Sequence, residues 1–391
     1  MSLKNPQINI ELQGSIYALE RKRILNKVVK FKKSNNFYNL TASNNSSLFS
    51  TIFSIFIKDL LNYKFEDEEK KILSNLIRSH QDSQSGLFVE NQYTKTPNFF
   101  CKQCMQLTTF SMSALSILDS VPEFQINHNI KTKDDVFSYL DKVGVKKGLI
   151  GSGNFAMFLG IFLSYEKMLN PDNNLLKFWF QYHNEHFNKK NGFWTLGIKG
   201  NSQWSYQNGL HQLIIYEFWN EEFPNYKKAV NMVVKNADKT GSFSLIPGGG
   251  ACWDYDAIHI LNLLGLKNKF RKNKIESILL KSYKALINTK TDLGYCENSL
   301  IQELSVFKNI DYFIYNKSLL STIFRLRAFF AEKNNGFIHH PHWSKRPIKM
   351  NETDLWSTWF RLITIAEIEN IFLDSTDWNF HTFPGLGILK K

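Results

Sequence analysis

Along this chain, charged amphipathic stretches alternate with stretches in which apolar residues run nearly all the way round a helical wheel. The charged type is seen in "FEDEEKKILSNLIRSHQ" (65–81), "YKKAVNMVVKNADK" (226–239) and "FRKNKIESILLKSYKALINTK" (270–290). The apolar type is seen in "MQLTTFSMSALSIL" (105–118), "NFAMFLGIFLSYEKML" (154–169), "SYQNGLHQLIIYEFW" (205–219), "DYDAIHILNLLGL" (254–266) and "DLWSTWFRLITIAEI" (354–368). A helix that is apolar on every side must be buried, and a charged helix beside it can shield it from water. Outer and inner helices alternating around a ring satisfy both requirements.

A polar turn holding a glycine, followed by apolar or aromatic residues, punctuates the pattern. It occurs at Gly86, Gly192, Gly241, Gly294 and Gly336, with a weaker copy at Gly148, at intervals of about 40 to 60 residues. That is the length of a helical hairpin, so five or six hairpins are predicted. Each glycine is predicted to take the left-handed turn that ends an outer helix. Between Gly294 and Gly336 one clear helix (316–332) stands where the pattern calls for two. The predicted fold is all-α: N-terminal helices over residues 1–64 packing on the ring, and a single α/α toroid over 65–391. An open superhelix of hairpins is the structural alternative. The run "LFSTIFSIFIKDLL" (48–61) is interrupted by polar residues and short of the roughly 20 needed to cross a bilayer, so it reads as a core helix.

Composition agrees with one large folded unit. The 391 residues are 43% hydrophobic and 15% aromatic, with 33 Phe, ample for a sizeable core. The net charge of +13 would attract anionic partners, but Lys and Arg are mostly scattered. The densest cluster, "ERKRILNKVVKFKK" (20–33), sets an apolar stripe of Ile24, Leu25, Val28 and Val29 among its cations. Such a helix could touch a membrane or an acidic partner, and a solvated face is the simpler account. Four cysteines are too few for a disulfide scaffold and no signal peptide precedes them, which points to the reducing cytoplasm. The Cys-x-x-Cys of "CKQC" (101–104) has no second pair, so it is read as incidental. The glycines 248–250 lack the Lys-Ser/Thr ending of a phosphate loop, and no nucleic-acid motif is present.

With its recurrent glycine-aromatic turns, the chain resembles the α/α-toroid superfamily of terpenoid cyclases and protein prenyltransferase β subunits over roughly residues 65 to 370. The resemblance implies that inner-helix N-termini frame a central cavity. Class II terpenoid cyclases carry their general acid in an Asp-x-Asp-Asp motif on such a helix. Here "DYDAI" supplies Asp254 and Asp256, with Ala257 in place of the third aspartate. The zinc set of the prenyltransferases is not matched: Cys252 and Asp254 stand in reversed order, and "NETDLWSTW" has no histidine. No metal and no cofactor are expected.

Polar residues near the inner-helix starts define the candidate site. Asp256 is the expected proton donor with Asp254 as its partner, and His211, Glu352 and Asp354 complete the candidate catalytic set. Gln106, Asn208, Gln212, Trp253, Trp356 and Arg361 are the candidate substrate-binding residues, with Trp204, Tyr206, Tyr255 and Trp359 as further aromatics facing the cavity. Each aspartate taken alone is explained as readily by helix capping. His259, three residues from Asp256, is predicted to bond it. Arg361, a cation on an apolar helix, needs a carboxylate such as Glu352 or an anionic substrate. The histidines of "HHPHW" (His339, His340, His342) are read as an exposed loop. The leading functional expectation is general-acid chemistry on a small molecule in the ring cavity, terpenoid-cyclase-like. A carbohydrate-active toroid enzyme acting on a glycan and a non-catalytic binding scaffold are the alternatives.

Overall fold

The computed structural model describes residues 14–33, 36–43, 46–90, 96–194, 203–244, 246–299, 303, 305–314, 319–338 and 347–380. Among them helices are the predominant secondary structure. Its strands form two short antiparallel ladders, β1 (Tyr38–Asn39) with β2 (Ser46–Ser47) and β3 (Phe337–Ile338) with β4 (Ile348–Lys349).

After α1 (Tyr17–Val28), the largely buried helices are α2 (Leu48–Leu60), α4 (Lys102–Ile117), α6 (Ser152–Leu169), α8 (Gln203–Phe218), α10 (Ala251–Ile260, prolonged by a π-helical segment, Leu261–Leu266) and α14 (Leu355–Phe372). Each packs on the next: α2 on α4, α4 on α6, α6 on α8, α8 on α10, α10 on α14, and α14 back on α2. The cycle closes, so the helices form a ring and not an open superhelix. Residues 48–60, which the apolar pattern marks only as a core helix, occupy one of the six places between the first and last members. The outer helices are α3 (Asp67–Arg78), α5 (Lys133–Lys142), α7 (Leu175–Glu185), α9 (Tyr226–Val234) and α11 (Lys272–Ile287). α3 packs on α4, α7 on α6, α9 on α8 and α10, and α11 on α14. The irregular stretch before Gly336 holds α12 (Ile310–Ile314) and α13 (Leu319–Asn335), which pack on each other. Ile246, Phe313, Phe329 and Met350 form a small core of their own there. It is an added hairpin, which is why the inner/outer alternation falters at that point.

Local signals set these boundaries. Ser47 caps α2 by accepting the Ser50 N–H at 3.1 Å. Thr132 and Asp135 form a reciprocal capping box at α5. Aromatic and aliphatic side chains dominate the core, each contributing roughly 1.5–3 kcal/mol by leaving water. Helix α1 is tied to the ring through Glu369 of α14, which accepts from Ile16 N at 2.9 Å, Tyr283 Oη at 2.8 Å and Trp378 Nε1 at 2.7 Å. Several of the cations in the basic segment are engaged in this docking. Arg23 pairs with buried Glu20 and donates to the Thr291 carbonyl at 2.7 Å, and Arg21 donates to the Leu61 carbonyl at 2.9 Å. Lys22, Lys30, Lys32 and Lys33 are exposed. No helix among the described residues is long and apolar enough to cross a membrane.

Gly86, Gly148, Gly192, Gly241 and Gly336 have positive φ, as the punctuation predicts. Gly294 does not; its constraint is space, since a Cβ there would stand 2.5 Å from Thr358 Oγ1 of α14. At Gly192 both constraints act: φ is +84° and a Cβ would stand 2.4 Å from the backbone nitrogen of Ala229 in α9. Gly151 has a similar φ of +81° with nothing within 4 Å. Gly151→Ala is therefore expected to cost only the left-handed strain, about 1–2 kcal/mol. Gly192→Ala should lose a further 1–3 kcal/mol, roughly, by forcing the turn off α9. Urea unfolding of the two variants measures the difference, and equal losses would contradict the close packing of turn on helix.

Candidate functional site

Asp254 and Asp256, two residues apart on α10, have different surroundings. Gly248 and Gly249, both left-handed, turn the chain into α10. Asp254 reaches back into that turn, accepting from Phe243 N at 2.6 Å and Gly250 N at 3.2 Å, and it pairs with Arg361 of α14. A Cβ at Gly249 would stand 2.4 Å from Asp254 Oδ2, so the glycine makes room for the carboxylate. Arg361 is 1% exposed and also donates to the carbonyls of Cys296 and Glu297. Burial raises the Asp254 carboxyl to about 6 and Arg361 opposes a further rise, leaving it an anion at neutral pH. Arg361 thus finds a carboxylate, and that carboxylate is Asp254 instead of the expected Glu352. Glu352 lies ahead of α14, half-buried, where Ser43 Oγ donates to it at 3.2 Å.

Asp256 is 4% exposed and makes no hydrogen bond or ion pair among the described residues. Burial pushes its carboxyl well above the usual carboxylate range; the Asp254 anion adds to that and His259 opposes it. His259 is not bonded to Asp256. Its Nδ1 meets Glu367 Oε1 at 2.8 Å and its Nε2 meets Glu217 Oε2 at 3.0 Å, so one imidazole links α8, α10 and α14. Asn262 Nδ2 donates to Glu367 at 2.8 Å, and Lys267 lies 3.5 Å from Glu217. Burial alone would lower the His259 pKa, but the two carboxylates outweigh it and hold it at about 10. At neutral pH the ring is therefore an imidazolium with both nitrogens donating. The two flanking carboxylates outcompete Asp256 because they lie on neighbouring helices at the level of the imidazole. Glu217 and Glu367 escaped the sequence reading, yet each is a charge on an apolar helix, the signal that singled out Arg361.

The remaining candidates divide between groups with a structural partner and groups without one among the described residues. Asp354 caps α14, accepting from Ser357 N at 2.7 Å; burial raises it to about 7 and the Ser357 bonds oppose. Asn208 Oδ1 accepts from Gly151 N and Gly153 N, both at 3.1 Å, and so closes the start of α6 from α8. Asn154 Nδ2 stands 3.1 Å from His211 Nε2. Burial lowers His211 to about 3, helped by the charge of Lys102, and keeps the imidazole neutral. Gln106 and Gln212 are buried, and Gln106 Oε1, both polar atoms of the Gln212 amide and the Tyr255 hydroxyl have no hydrogen-bond partner among the described residues. Orphaned polar groups in a native interior ask for an explanation. Glu297, just beyond the Gly294 turn, also escaped the sequence reading. Ser357 Oγ lies 3.4 Å from its carboxylate, and a Cβ at Gly250 would stand 2.8 Å from its Oε1, which places it over the start of α10. Burial raises its pKa and Arg361 opposes.

Beside these groups runs an aromatic network from four helices. Phe53 meets Trp356 at 5.3 Å, Phe56 meets Trp359 at 4.8 Å, Phe110 meets Trp359 at 6.3 Å, Trp356 meets Phe360 at 4.4 Å and Tyr255 meets Phe360 at 5.5 Å. Trp253 is half-buried, with its ring 6.4 Å from Tyr206. The Trp204 side chain and His339, His340 and His342 lie outside the described residues. Among the described residues no group of three or more His, Cys, Asp or Glu is placed to hold a metal ion.

The His259 bridge has a calculable pH signature. Its folded-state pKa of about 10 lies above the ordinary 6.5, so its stabilisation is full below pH 6.5 and is lost as pH rises through 10. His259→Gln should flatten the dependence of unfolding free energy on pH across that window. At neutral pH it should cost roughly 3–5 kcal/mol, because Glu217 and Glu367 are left buried without their cation. Chemical denaturation at a series of pH values tests both, and an unchanged pH profile would remove the imidazolium from the account.

No protein-family model and no curated protein sequence matches the chain. Among solved structures it is similar to Candida albicans protein geranylgeranyltransferase-I complexed with GGPP, with 14% identity, 99% of this chain and 95% of that chain covered, and a TM-score of 0.31. At that level of superposition the ring rests on the helix contacts given above, and the likeness carries no argument about chemistry.

Proposed function

We propose that this chain is an enzyme of the α/α-toroid type that donates a proton from Asp256 to a small-molecule substrate held inside the ring, in the manner of a terpenoid cyclase. The observation that carries the reading is the contrast between the two aspartates of α10. Asp254 is fully engaged by Arg361 and two backbone amides, whereas Asp256 is buried with no hydrogen-bond or ion-pair partner among the described residues. A structural carboxylate in an interior is normally paired, because leaving it unpaired costs several kcal/mol, roughly. Burial and the Asp254 anion favour its protonated form, which is the form a general acid needs. The Arg361 pair fixes the start of α10 and so holds Asp256 in place. The aromatic faces supplied by Phe53, Trp356, Trp359 and Phe360 suit stabilisation of positive charge developing on the substrate after protonation.

A second reading, a carbohydrate-active enzyme, is favoured by the orphaned amides of Gln106 and Gln212 and the Tyr255 hydroxyl, which suit a substrate bearing hydroxyl groups. On that reading Asp256 remains the acid and Glu297 is the second carboxylate.

Asp256→Asn tests the shared step. Purified chain incubated with a small-molecule extract is followed by mass spectrometry, and consumption of a component by the unaltered chain should fall at least 100-fold, roughly, in the variant. The melting temperature should stay within about 2 °C, since no bond is lost. Turnover should decline as pH rises through the elevated Asp256 pKa. Retained turnover in Asp256→Asn, or collapse of the fold, would refute the assignment. An isoprenoid or a sugar among the consumed components separates the two readings.

A further inference from the structure

Lys102, the first residue of α4, takes no part in the chemistry above. It is half-buried and makes no hydrogen bond or ion pair among the described residues. Its charge is felt by His211 of α8 and by Cys252 of α10. α4 and α10 stand opposite each other in the ring, three places apart by either route, and the ammonium group is near enough to α8 and α10 for its charge to act on a residue of each. Neither neighbour offers a counter-charge. His211 is neutral, and burial pushes the Cys252 thiol up, as do the carboxylates near it. Burial likewise holds the Lys102 amine below its ordinary value, the strain of a cation kept from water without an anion. One turn further along the same face of α4 is Gln106, with its unpartnered Oε1, and next to His211 is Gln212, with its unpartnered amide.

We infer that Lys102 is the anchor for an oxyanion on the substrate, a phosphate or carboxylate group that seats at the mouth of the ring while the body of the molecule reaches past Gln106 and Gln212 toward Asp256. The inference rests on the reading of this end of the ring as the substrate site, and it adds the substrate's charge to that reading. The nearby carboxyls do not oppose an anion as a bare cluster would. Arg361 neutralises Asp254, and burial shifts Asp256, Glu297 and Asp354 toward their protonated forms.

Isothermal titration calorimetry of the full chain at neutral pH with inorganic phosphate, pyrophosphate and glucuronate tests the anchor without any assay of turnover. At least one of the three should bind at one site per chain, the phosphate and glucuronate arms distinguishing the two kinds of oxyanion. Lys102→Gln should weaken that binding by about tenfold or more, and Lys102→Arg should keep it within about threefold. Both variants should melt within about 2 °C of the unaltered chain, because Lys102 makes no bond to lose. Equal affinity in Lys102→Gln, or no binding of any of the three, overturns the inference. Asp256→Asn should keep the anion binding. Lost turnover in that variant without any anion binding rejects the anchor alone, and anion binding that depends on Lys102 while Asp256→Asn still turns over rejects the acid alone.

Discussion

The ring depends on the buried pair between Arg361 and Asp254. It joins α10 to α14 at the seam where the added hairpin separates them, with the two residues 107 positions apart. A buried ion pair is a weak net stabiliser when compared with a well-packed apolar substitute, but removing one partner of it is strongly destabilising. Its importance here is positional. The same guanidinium also holds the carbonyls of Cys296 and Glu297, so one side chain fixes the start of α10 and the approach to α14. Asp256 lies on the helix so fixed.

Charge inside the ring is arranged in two levels. At the helix starts, Asp254, Glu297 and Asp354 are each raised by burial and each held by a named donor: Arg361, the Ala251 amide with Ser357, and the Ser357 amide. Deeper, His259 lies between Glu217 and Glu367, and the π-helical segment that prolongs α10 begins two residues beyond it. Helices that are apolar almost all round can tolerate such charges only where neighbouring helices supply the complement. The interior charges are therefore also links between members of the ring.

The inner and outer helices were legible because burial and charge follow their periodicity directly. All five apolar stretches from residue 105 onward became inner helices, and of the punctuating glycines all but Gly294 took the left-handed turn. The sixth inner helix was harder to place, since no glycine-aromatic turn precedes Leu48 and its role is set by contact with α14, far along the chain. Residue types at helix starts could not reveal which acid was free. Asp254 and Asp256 look alike in sequence, and only the position of Arg361 separates them. Lys102 was hidden by the cysteines beside it, and its nearness to residues of α8 and α10 is set by the ring, which periodicity does not contain.

Closure by the first and last inner helices also affects synthesis. Helix α2 emerges early, carrying Phe53 and Phe56 for Trp356 and Trp359. Those partners are not translated until some 300 residues later, at roughly 5–20 residues per second. For that interval the apolar face of α2 lacks the neighbour that completes its burial. The nascent chain is thus an unclosed arc whose leading edge is its stickiest surface, and a chaperone or the ribosome surface would find its natural target there.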